Sequence, residues 1–233
     1  MKFIVVKNYK EMSRIASEII IEDIKRKPKT VLGFATGKTP LGLYGELVKA
    51  YKKNKVDFSG IKTFNLDEYY PISKADKKSY FYYMHNNLFN KINVNPKNIN
   101  LLDGETANPK KECERFESKI KQNPLDVQIL GVGINGHIGF NEPYSLKNSK
   151  TRLVKLTKST QKRNKTNKKA LTMGVSTIMK AKKIILLACG KDKSKALECL
   201  MKCRPNNCCP VTLLKNHKNL VVIADKKAGD FDD

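Results

Sequence analysis

A glycine-rich segment at residues 131–143 combines a histidine with a carboxylate. His137 is one of three histidines in the chain, lies between Gly136 and Gly139, and is followed five residues later by Glu142. A carboxylate near an imidazole fixes its tautomer and favours its protonated form, so such a pair can transfer protons as a general acid and base. A single histidine is more often a hydrogen-bonded core residue, but the surrounding glycines in a loop after a strand favour the catalytic interpretation.

The same segment contains Gly131, Gly133 and Gly136, which match the GxGxxG pattern of dinucleotide-binding loops. That pattern requires a helix directly after the glycines and an acidic residue about 20 positions further on. Here Pro143 interrupts the following stretch, and the region near Lys155 is basic. We therefore expect no nicotinamide cofactor.

Two adjacent carboxylates, Asp67 and Glu68, follow a predicted strand that ends at Leu66. Neighbouring side chains of an extended segment point in opposite directions, so one carboxylate can be a base and the other a structural partner. A carboxylate can remove a proton from carbon only where a neighbouring carbonyl acidifies that proton and water is excluded. The pair alone is weak evidence, because acidic residues also cap helices.

A glycine turn leads from a predicted strand into a predicted helix at Thr36-Gly37-Lys38-Thr39-Pro40. It resembles a P-loop, but that pattern has four residues between its glycines, and only three separate Gly33 from Gly37. A helix N-terminus still presents free N–H groups and a dipole that favours an anion, and Thr36, Thr39 and Lys38 add donors. We expect a phosphate cradle; a helix cap without a ligand is the alternative.

Strands and helices alternate along the chain, and they must position these three loops. The predicted strands are Phe3–Val6, Thr30–Ala35, Ile61–Leu66, Val127–Gly131, Ile184–Ala188 and Leu220–Ala224. The predicted helices include Lys10–Lys25, Pro40–Lys53, Pro109–Gln122 and one capped by Ser79. Alternation predicts an α/β fold with a mostly parallel sheet and helices on both faces, Rossmann-like and doubly wound, in a single domain over residues 1–233. In such sheets ligands lie beyond the carboxyl ends of the strands.

The chain has 233 residues and carries a formal charge of +24, which first suggests a nucleic-acid partner. However, only six of its 46 cations are arginines, and the remaining 40 are lysines distributed along the whole chain. Arginine is the better reader of phosphates and bases, so we expect no nucleic-acid partner. A positive surface would instead attract an anionic substrate such as a sugar phosphate.

No segment approaches the roughly 20 apolar residues that a membrane span needs, so we expect no membrane partner and a cytoplasmic location. The six cysteines are then expected to be thiols. Cys199 and Cys203 are spaced to face one metal on a helix, but the late cysteines lack the CxxC spacing of zinc sites. We expect buried apolar side chains and no metal.

Taken in order, the three loops resemble those of glucosamine-6-phosphate deaminases. The motifs are Ala35-Thr36-Gly37-x-Thr39-Pro40, Asn65-Leu66-Asp67-Glu68-Tyr69-Tyr70 and Gly131-x-Gly133-x-Asn135-Gly136-His137-Ile138-Gly139-Phe140-Asn141-Glu142-Pro143, followed by Ala170-Leu171-Thr172-Met173-Gly174 and Gly190-x-x-Lys193. The resemblance runs from about residue 30 to residue 225. It implies conversion of glucosamine 6-phosphate and water to fructose 6-phosphate and ammonia, without a metal or redox cofactor.

The resemblance also implies a role for each site residue. Asp67 would transfer a proton from C2 to C1, and His137 would open the sugar ring. Glu142 and Asn135 would orient the imidazole, although some members have Asp at the latter position. The phosphate would bind the turn Thr36-Gly37-Lys38-Thr39 and Lys193, with Arg152 as a further candidate.

Several features depart from the family pattern. Lys38 occupies a position where small residues are usual, and the lid near residues 150–169 is about ten residues shorter and lacks its arginine, with Lys165 or Thr166 nearby. A lid excludes water and clamps the phosphate, so a weakened sugar-phosphate-binding protein is an alternative. A hydrolase similar to 6-phosphogluconolactonase is another. Hexameric relatives have a longer C-terminal tail, so we expect a monomer.

Overall fold

Ten strands form two sheets in the computed structural model, which describes residues 1–157, 160–161 and 169–231. The strands are β1 (Lys2–Val6), β2 (Val31–Phe34), β3 (Lys62–Asn65), β4 (Asp67–Tyr70), β5 (Ile99–Asn100), β6 (Val127–Gly131), β7 (Arg152–Lys155), β8 (Lys169–Thr172), β9 (Lys183–Ala188) and β10 (Leu220–Asp225). The larger sheet has the order β1-β10-β9-β6-β2-β3-β5, and every neighbouring pair is parallel. The predicted parallel sheet is confirmed.

Helices cover both faces of this sheet. They are α1 (Tyr9–Arg26), α2 (Leu41–Lys52), α3 (Tyr80–Asn87), α4 (Pro109–Gln122), α5 (Val175–Ile178), α6 (Ser194–Lys202) and α7 (Lys226–Gly229) among the described residues, with 3-10 segments at Phe89–Lys91, Pro96–Asn98, Lys191–Lys193 and Pro210–Asn216. Ile185 and Leu187 of β9 pack in a core with α1, α2 and α3, whereas Ile184 and Leu186 pack in a second core with α4 and α6. Successive strand residues face opposite sides, so the sheet has two buried faces, as predicted for a doubly wound α/β fold.

Two helix starts follow directly from the local sequence. Asn8 caps α1 by accepting a hydrogen bond from Glu11 N at 3.0 Å, and Ser79 caps α3 by accepting one from Tyr82 N at 3.0 Å. A side-chain oxygen at this position satisfies an N–H group that has no partner within the helix. The predicted cap at Ser79 is therefore confirmed.

A second, smaller sheet corrects the prediction that residues 67–71 form a loop. Asp67–Tyr70 is strand β4, which pairs antiparallel with β8, and β8 pairs antiparallel with β7. Leu66 alone separates β3 from β4. Its N–H donates to Phe34 O and its carbonyl accepts from Met173 N, both at 2.8 Å, so the chain passes from one sheet to the other at this residue. The sequence of β4 has no apolar–polar alternation to reveal it as a strand.

The predicted lid near residues 150–169 is only partly covered by the structure. Its first residues form β7, and residues 158–159 and 162–168, with the candidates Lys165 and Thr166, lie outside the described residues. The assignment of residues 1–233 to one domain stays a prediction. Within the described ranges, no helix combines the length and the apolar character needed to cross a membrane.

Replacing Gly174 with alanine should destabilise the fold, because this residue crosses another backbone segment at close range. An added β-carbon would lie 2.2 Å from Ser149 O and 2.4 Å from Lys150 O. The first carbonyl is held in place, since it accepts a hydrogen bond from Ser176 N at 3.0 Å. We expect Gly174→Ala to lower the free energy of unfolding by about 1–3 kcal/mol, measured by urea denaturation.

Gly45→Ala is the matched control. Gly45 lies inside α2, and an added β-carbon there would meet no atom within 4 Å. Alanine is favoured over glycine in a helix interior, so this variant should gain about 0.5–1 kcal/mol. Equal stability of the Gly174→Ala variant and the unmodified protein would contradict the packing described here.

Candidate active site

Four segments that follow parallel strands meet at one edge of the larger sheet. They follow β2, β3, β6 and β9, which are neighbours in the sheet. The chain continues from β2 to β3 and β5 on one side of the sheet, and from β6 to β9 and β10 on the other. Where the strand order reverses in this way, a crevice is left beyond the strand ends. A cavity of about 450 Å³ occupies this position. Eight of the ten predicted site residues line it: Thr36, Gly37, Lys38, Thr39, Asp67, Asn135, His137 and Lys193.

One wall of the cavity is the turn between β2 and α2. Gly37 has a φ of +100°, a conformation that a residue with a β-carbon adopts only with strain. The N-cap residue Pro40 makes no side-chain cap hydrogen bond, and the first turn of α2 contains no acidic residue. Its amide groups and helix dipole therefore remain suited to an anion.

Lys193 approaches the same cavity from the segment after β9. Its side chain is only 12% exposed, and its Nζ lies 3.6 Å from Asp192 Oδ2. Asp225 supports this segment, since one oxygen of its buried carboxylate accepts from Gly190 N and the other from Cys189 Sγ, each at 3.0 Å. A cation at this point can complement a phosphate bound near α2.

Asp67 is a buried carboxylate in the wall of the cavity. It is 5% exposed, and its Oδ1 has no hydrogen-bond partner among the described residues. Burial raises its pKa well above the ordinary value, the charge of Glu68 adds to this rise, and a hydrogen bond from Thr36 opposes it. A carboxylate with an unpaired oxygen and a raised pKa is suited to accept a proton from a bound substrate.

Glu68 faces the other side of β4 and has a structural role. Its carboxylate accepts hydrogen bonds of 2.8 Å from the backbone N–H groups of Tyr69, Tyr80 and Phe81. Burial raises its pKa to about 7, although these three hydrogen bonds oppose the rise. The two adjacent carboxylates thus have different partners, and Glu68 fixes the start of α3, which brings Tyr80 to the cavity.

His137 belongs to a hydrogen-bonded chain of three side chains. Its Nδ1 lies 2.7 Å from Asn135 Oδ1, and Asn135 Nδ2 donates to Glu142 Oε2 at 2.8 Å. Because this donation assigns the amide nitrogen to the Glu142 side, the amide oxygen faces the imidazole and can only accept. Nδ1 of His137 therefore carries a hydrogen, and Nε2 is left for a substrate.

Glu142 supports this chain from behind the cavity wall. It is 8% exposed, and its Oε1 accepts hydrogen bonds from the hydroxyl groups of Thr157 and Thr160. Burial alone would raise its pKa, but hydrogen bonds from His137, Thr160 and Asn135 outweigh burial and lower the pKa to about 2. Its Oε2 lies 3.5 Å from His137 Nδ1, close enough to stabilise a positive charge that develops on the imidazole during proton transfer.

Gly133 makes room for the imidazole. A β-carbon on Gly133 would lie 2.2 Å from His137 Cε1, and Gly133 N donates to His137 O at 2.9 Å. Gly136 has a φ of +80° and completes the turn. Of the three glycines in the GxGxxG match, Gly133 is therefore the one that packs against His137; a β-carbon on Gly136 would meet Cys209, and one on Gly131 would meet no atom within 4 Å.

Arg152 is the second predicted site residue, after Glu142, that does not line the cavity. Its guanidinium donates to Asn141 Oδ1 at 2.9 Å, and it is absent from the described residues that line the cavity. Its contact with the phosphate stays a prediction. Sequence reasoning missed Tyr80 and Cys189, which line the cavity. Ser79, the cap before Tyr80, was the one available signal.

The described part of the chain contains no group of three or more His, Cys, Asp or Glu residues that could hold a metal ion. Cys199 and Cys203, the two cysteines considered for a metal, lie at the end of α6 with their sulfurs 3.2 Å apart.

Comparison with known proteins identifies the family. A family model described as glucosamine-6-phosphate isomerases/6-phosphogluconolactonase matches residues 8–223. The chain belongs to this family. A protein of Clostridium botulinum (strain Langeland / NCTC 10281 / Type F) named glucosamine-6-phosphate deaminase is 46% identical over an alignment that covers 98% of each chain.

Solved structures of this family share the fold. A monomeric glucosamine-6-phosphate deaminase is 37% identical, covers 99% of both chains and superposes with a TM-score of 0.97. The 6-phosphogluconolactonase from Trypanosoma cruzi is 20% identical and superposes with a TM-score of 0.81 over 98% of this chain and 96% of its own. The second likeness concerns the fold alone.

In this member of the family, Asp67→Asn should increase stability at neutral pH. A carboxyl whose pKa is raised on folding binds more protons in the folded state than in the unfolded state. The free energy of unfolding therefore decreases as the pH rises from about 4 towards the folded pKa. Asparagine removes this dependence. We expect a melting temperature higher by a few degrees at pH 8 and a smaller gain at pH 4.

Asp57→Asn is the control with the opposite sign. A backbone hydrogen bond from Ser59, together with others from the side chains of Asn93 and Ser59, lowers the pKa of this exposed carboxylate. Ionised Asp57 therefore stabilises the folded protein above the unfolded pKa of this carboxyl, and this stabilisation is lost on acidification. Asp57→Asn should leave the melting temperature unchanged or slightly lower at pH 8. A lower melting temperature of the Asp67→Asn variant at pH 8 would contradict the burial and the raised pKa of Asp67.

Proposed function

We propose that this chain is a glucosamine-6-phosphate deaminase, which converts glucosamine 6-phosphate and water to fructose 6-phosphate and ammonia. The observation that carries the proposal is that the carboxylate of Asp67, the imidazole of His137 and the turn at residues 36–39, just before α2, open onto one cavity. Family membership and the name of a relative at 46% identity support the same activity.

His137 opens the sugar ring in this mechanism. Its Nε2 can take the proton of the anomeric hydroxyl and return it to the ring oxygen, because Asn135 already occupies Nδ1. The imidazole is positively charged between these two transfers. Glu142, whose pKa is lowered to about 2, stays ionised and stabilises that charge.

Asp67 then moves a proton between two carbons of the open chain. It takes the proton from C2, which the adjacent C1 carbonyl acidifies, and returns it to C1. The nitrogen at C2 becomes an imine, which water hydrolyses to release ammonia and the ketone of fructose 6-phosphate. The raised pKa of Asp67 suits both accepting and returning the proton.

The phosphate end of the substrate fits the opposite part of the cavity. The amide groups at residues 36–39, the hydroxyls of Thr36 and Thr39 and the ammonium of Lys193 would surround it. Lys38 also lines the cavity, and its backbone carbonyl accepts a hydrogen bond from Tyr9 OH at 3.0 Å. This hydrogen bond holds the backbone of the turn while the Lys38 side chain remains available for the phosphate.

A second candidate activity is hydrolysis of 6-phosphogluconolactone, because the family model spans both enzymes and the two folds are alike. Lactone hydrolysis needs a base that activates water, but it removes no proton from a carbon atom. A buried, desolvated carboxylate such as Asp67 is better suited to carbon than to water, so deamination is favoured. Parallel assays with the lactone and the amino sugar phosphate separate the two.

The monomeric state also belongs to the proposal. A solved deaminase that superposes with a TM-score of 0.97 is described as monomeric, which supports the same state for this chain. The cytoplasmic location and the lack of a nucleic-acid partner stay predictions from the sequence.

Asp67→Asn should abolish ammonia release. Asparagine cannot accept the C2 proton, and loss of one positioned acid–base group lowers a rate by roughly 10² to 10⁴. The assay couples ammonia release from glucosamine 6-phosphate, and from its galactosamine epimer, to a dehydrogenase. A folded, unmodified chain that releases no ammonia from either epimer would refute the proposed activity, and tight binding of the sugar phosphate without turnover would favour the alternative of a binding protein.

Lys193→Met should weaken substrate binding more than it slows the reaction. The lysine would contact the phosphate, which does not react, so its removal should raise KM by roughly 10- to 100-fold and change kcat little. Lys191→Met is the matched control, since Lys191 lies two residues earlier on the surface and is not among the described residues that line the cavity. Equal effects of the two variants would remove Lys193 from the phosphate site.

A further inference from the structure

Three thiols lie together behind the catalytic segment. Cys199 Sγ and Cys203 Sγ lie 3.2 Å apart, within hydrogen-bond distance, and a further hydrogen bond joins Cys199 to Cys209. Cys199 lies in the last two turns of α6, and Cys203 follows the end of the helix with φ −80° and ψ 152°. The end of the helix frees the Cys203 side chain to turn towards Cys199.

The surroundings allow chemistry at this pair. Cys203 is exposed and Cys199 is half-buried. The ammonium of Lys215 is held by the carbonyls of Met201 at 2.9 Å and Cys203 at 2.6 Å. Burial raises the pKa of Cys199 and the hydrogen bond with Cys199 raises that of Cys203, while Lys215 opposes both rises. The pair is therefore accessible to an oxidant but reacts more slowly than a thiolate of low pKa.

Cys209 connects the thiols to the catalytic segment. A β-carbon on Gly136 would lie 2.3 Å from Cys209 Sγ, so this sulfur rests directly on the turn that precedes His137. Val211 N donates to Gly136 O at 2.8 Å. Displacement of Cys209 would therefore be transmitted to the backbone that positions the imidazole.

A second backbone contact reinforces this connection on the far side of His137. Tyr144 N donates to Asn207 O at 2.6 Å, and Cys209 N donates to Asn206 Oδ1 at 3.0 Å. The segment 206–211 thus contacts the catalytic segment both before and after the imidazole.

We propose that Cys199 and Cys203 form a site of reversible oxidation that controls the catalytic segment. A hydroperoxide such as hydrogen peroxide oxidises the exposed Cys203 to a sulfenic acid with release of water. The Cys199 thiol then attacks the Cys203 sulfur, a second water leaves, and a disulfide forms. One peroxide molecule accepts the two electrons that the two thiols lose.

The new bond changes the contacts of Cys199. The two sulfurs move from 3.2 Å to a bonded distance of about 2.05 Å, and Cys199 can no longer donate to Cys209. Cys209 and the Gly136 turn then lose a fixed neighbour. Since a small displacement of a catalytic group slows a reaction strongly, we expect oxidation to lower deaminase activity about tenfold. The activity part of this inference rests on the proposed function.

The test compares the reduced protein with protein treated with hydrogen peroxide. After free thiols are alkylated, trypsin cuts behind Lys202 and places Cys199 and Cys203 on different peptides. Because Cys208 and Cys209 share the peptide of Cys203, fragmentation must identify the linked residue. The expected result is a link between Cys199 and Cys203, together with a roughly tenfold loss of activity that dithiothreitol reverses.

Two variants complete the design. Cys203→Ser should keep its activity in peroxide, whereas Cys208→Ser, a matched change at a neighbouring exposed cysteine, should respond like the unmodified protein. A link from Cys199 to another cysteine, no link at all, or equal inactivation of the Cys203→Ser variant would overturn the proposal.

Peptide mapping detects the disulfide without any enzyme activity. If the reduced protein is inactive, the proposed function has failed, whatever the mapping shows. The effect of oxidation is then measured as the change in calorimetric binding of glucosamine 6-phosphate, in place of the change in rate. A linked protein with unchanged turnover, or with unchanged binding in that case, would overturn the control of the catalytic segment.

Discussion

The proposed chemistry depends on the parallel pairing of the strands around β2 and β6. Parallel strands end at the same edge of a sheet, and the reversal of strand order between these two strands leaves a crevice there. Residues far apart in the sequence, such as Thr36, Asp67 and His137, consequently face one cavity. A different strand order would leave the same loops intact and separate their side chains, so the sheet order is the constraint on which catalysis rests.

Asp67 and Glu68 illustrate how two identical chemical groups acquire different roles. Both are buried, which raises both pKa values, but Glu68 accepts three backbone hydrogen bonds and Asp67 has an oxygen without a partner. An unpaired buried polar atom is destabilising by itself. The protein therefore retains at Asp67 a group that disfavours folding and favours reaction, and it uses Glu68 to anchor α3 next to it.

The elements that could be predicted from the sequence have strong local signals. The strand Val127–Gly131 and the helix Pro109–Gln122 have the predicted bounds, since one is a short, mostly apolar run and the other has proline at its start. The short strands β4, β5, β7 and β8 were missed. They have two to four residues each, and β4 is polar, so their extended conformation depends on the partner strand.

The sequence by itself determined the alternation of the main strands and helices, the class of the fold and the three segments that carry the catalytic candidates. Those features depend on periodicity, glycine and proline, which act between near neighbours. Only the tertiary structure decided that Asp67 faces the cavity, that Arg152 instead contacts Asn141, and that Cys209 rests on Gly136. These outcomes depend on partners distant in the chain, and their positions follow from the packing of the whole sheet and its helices.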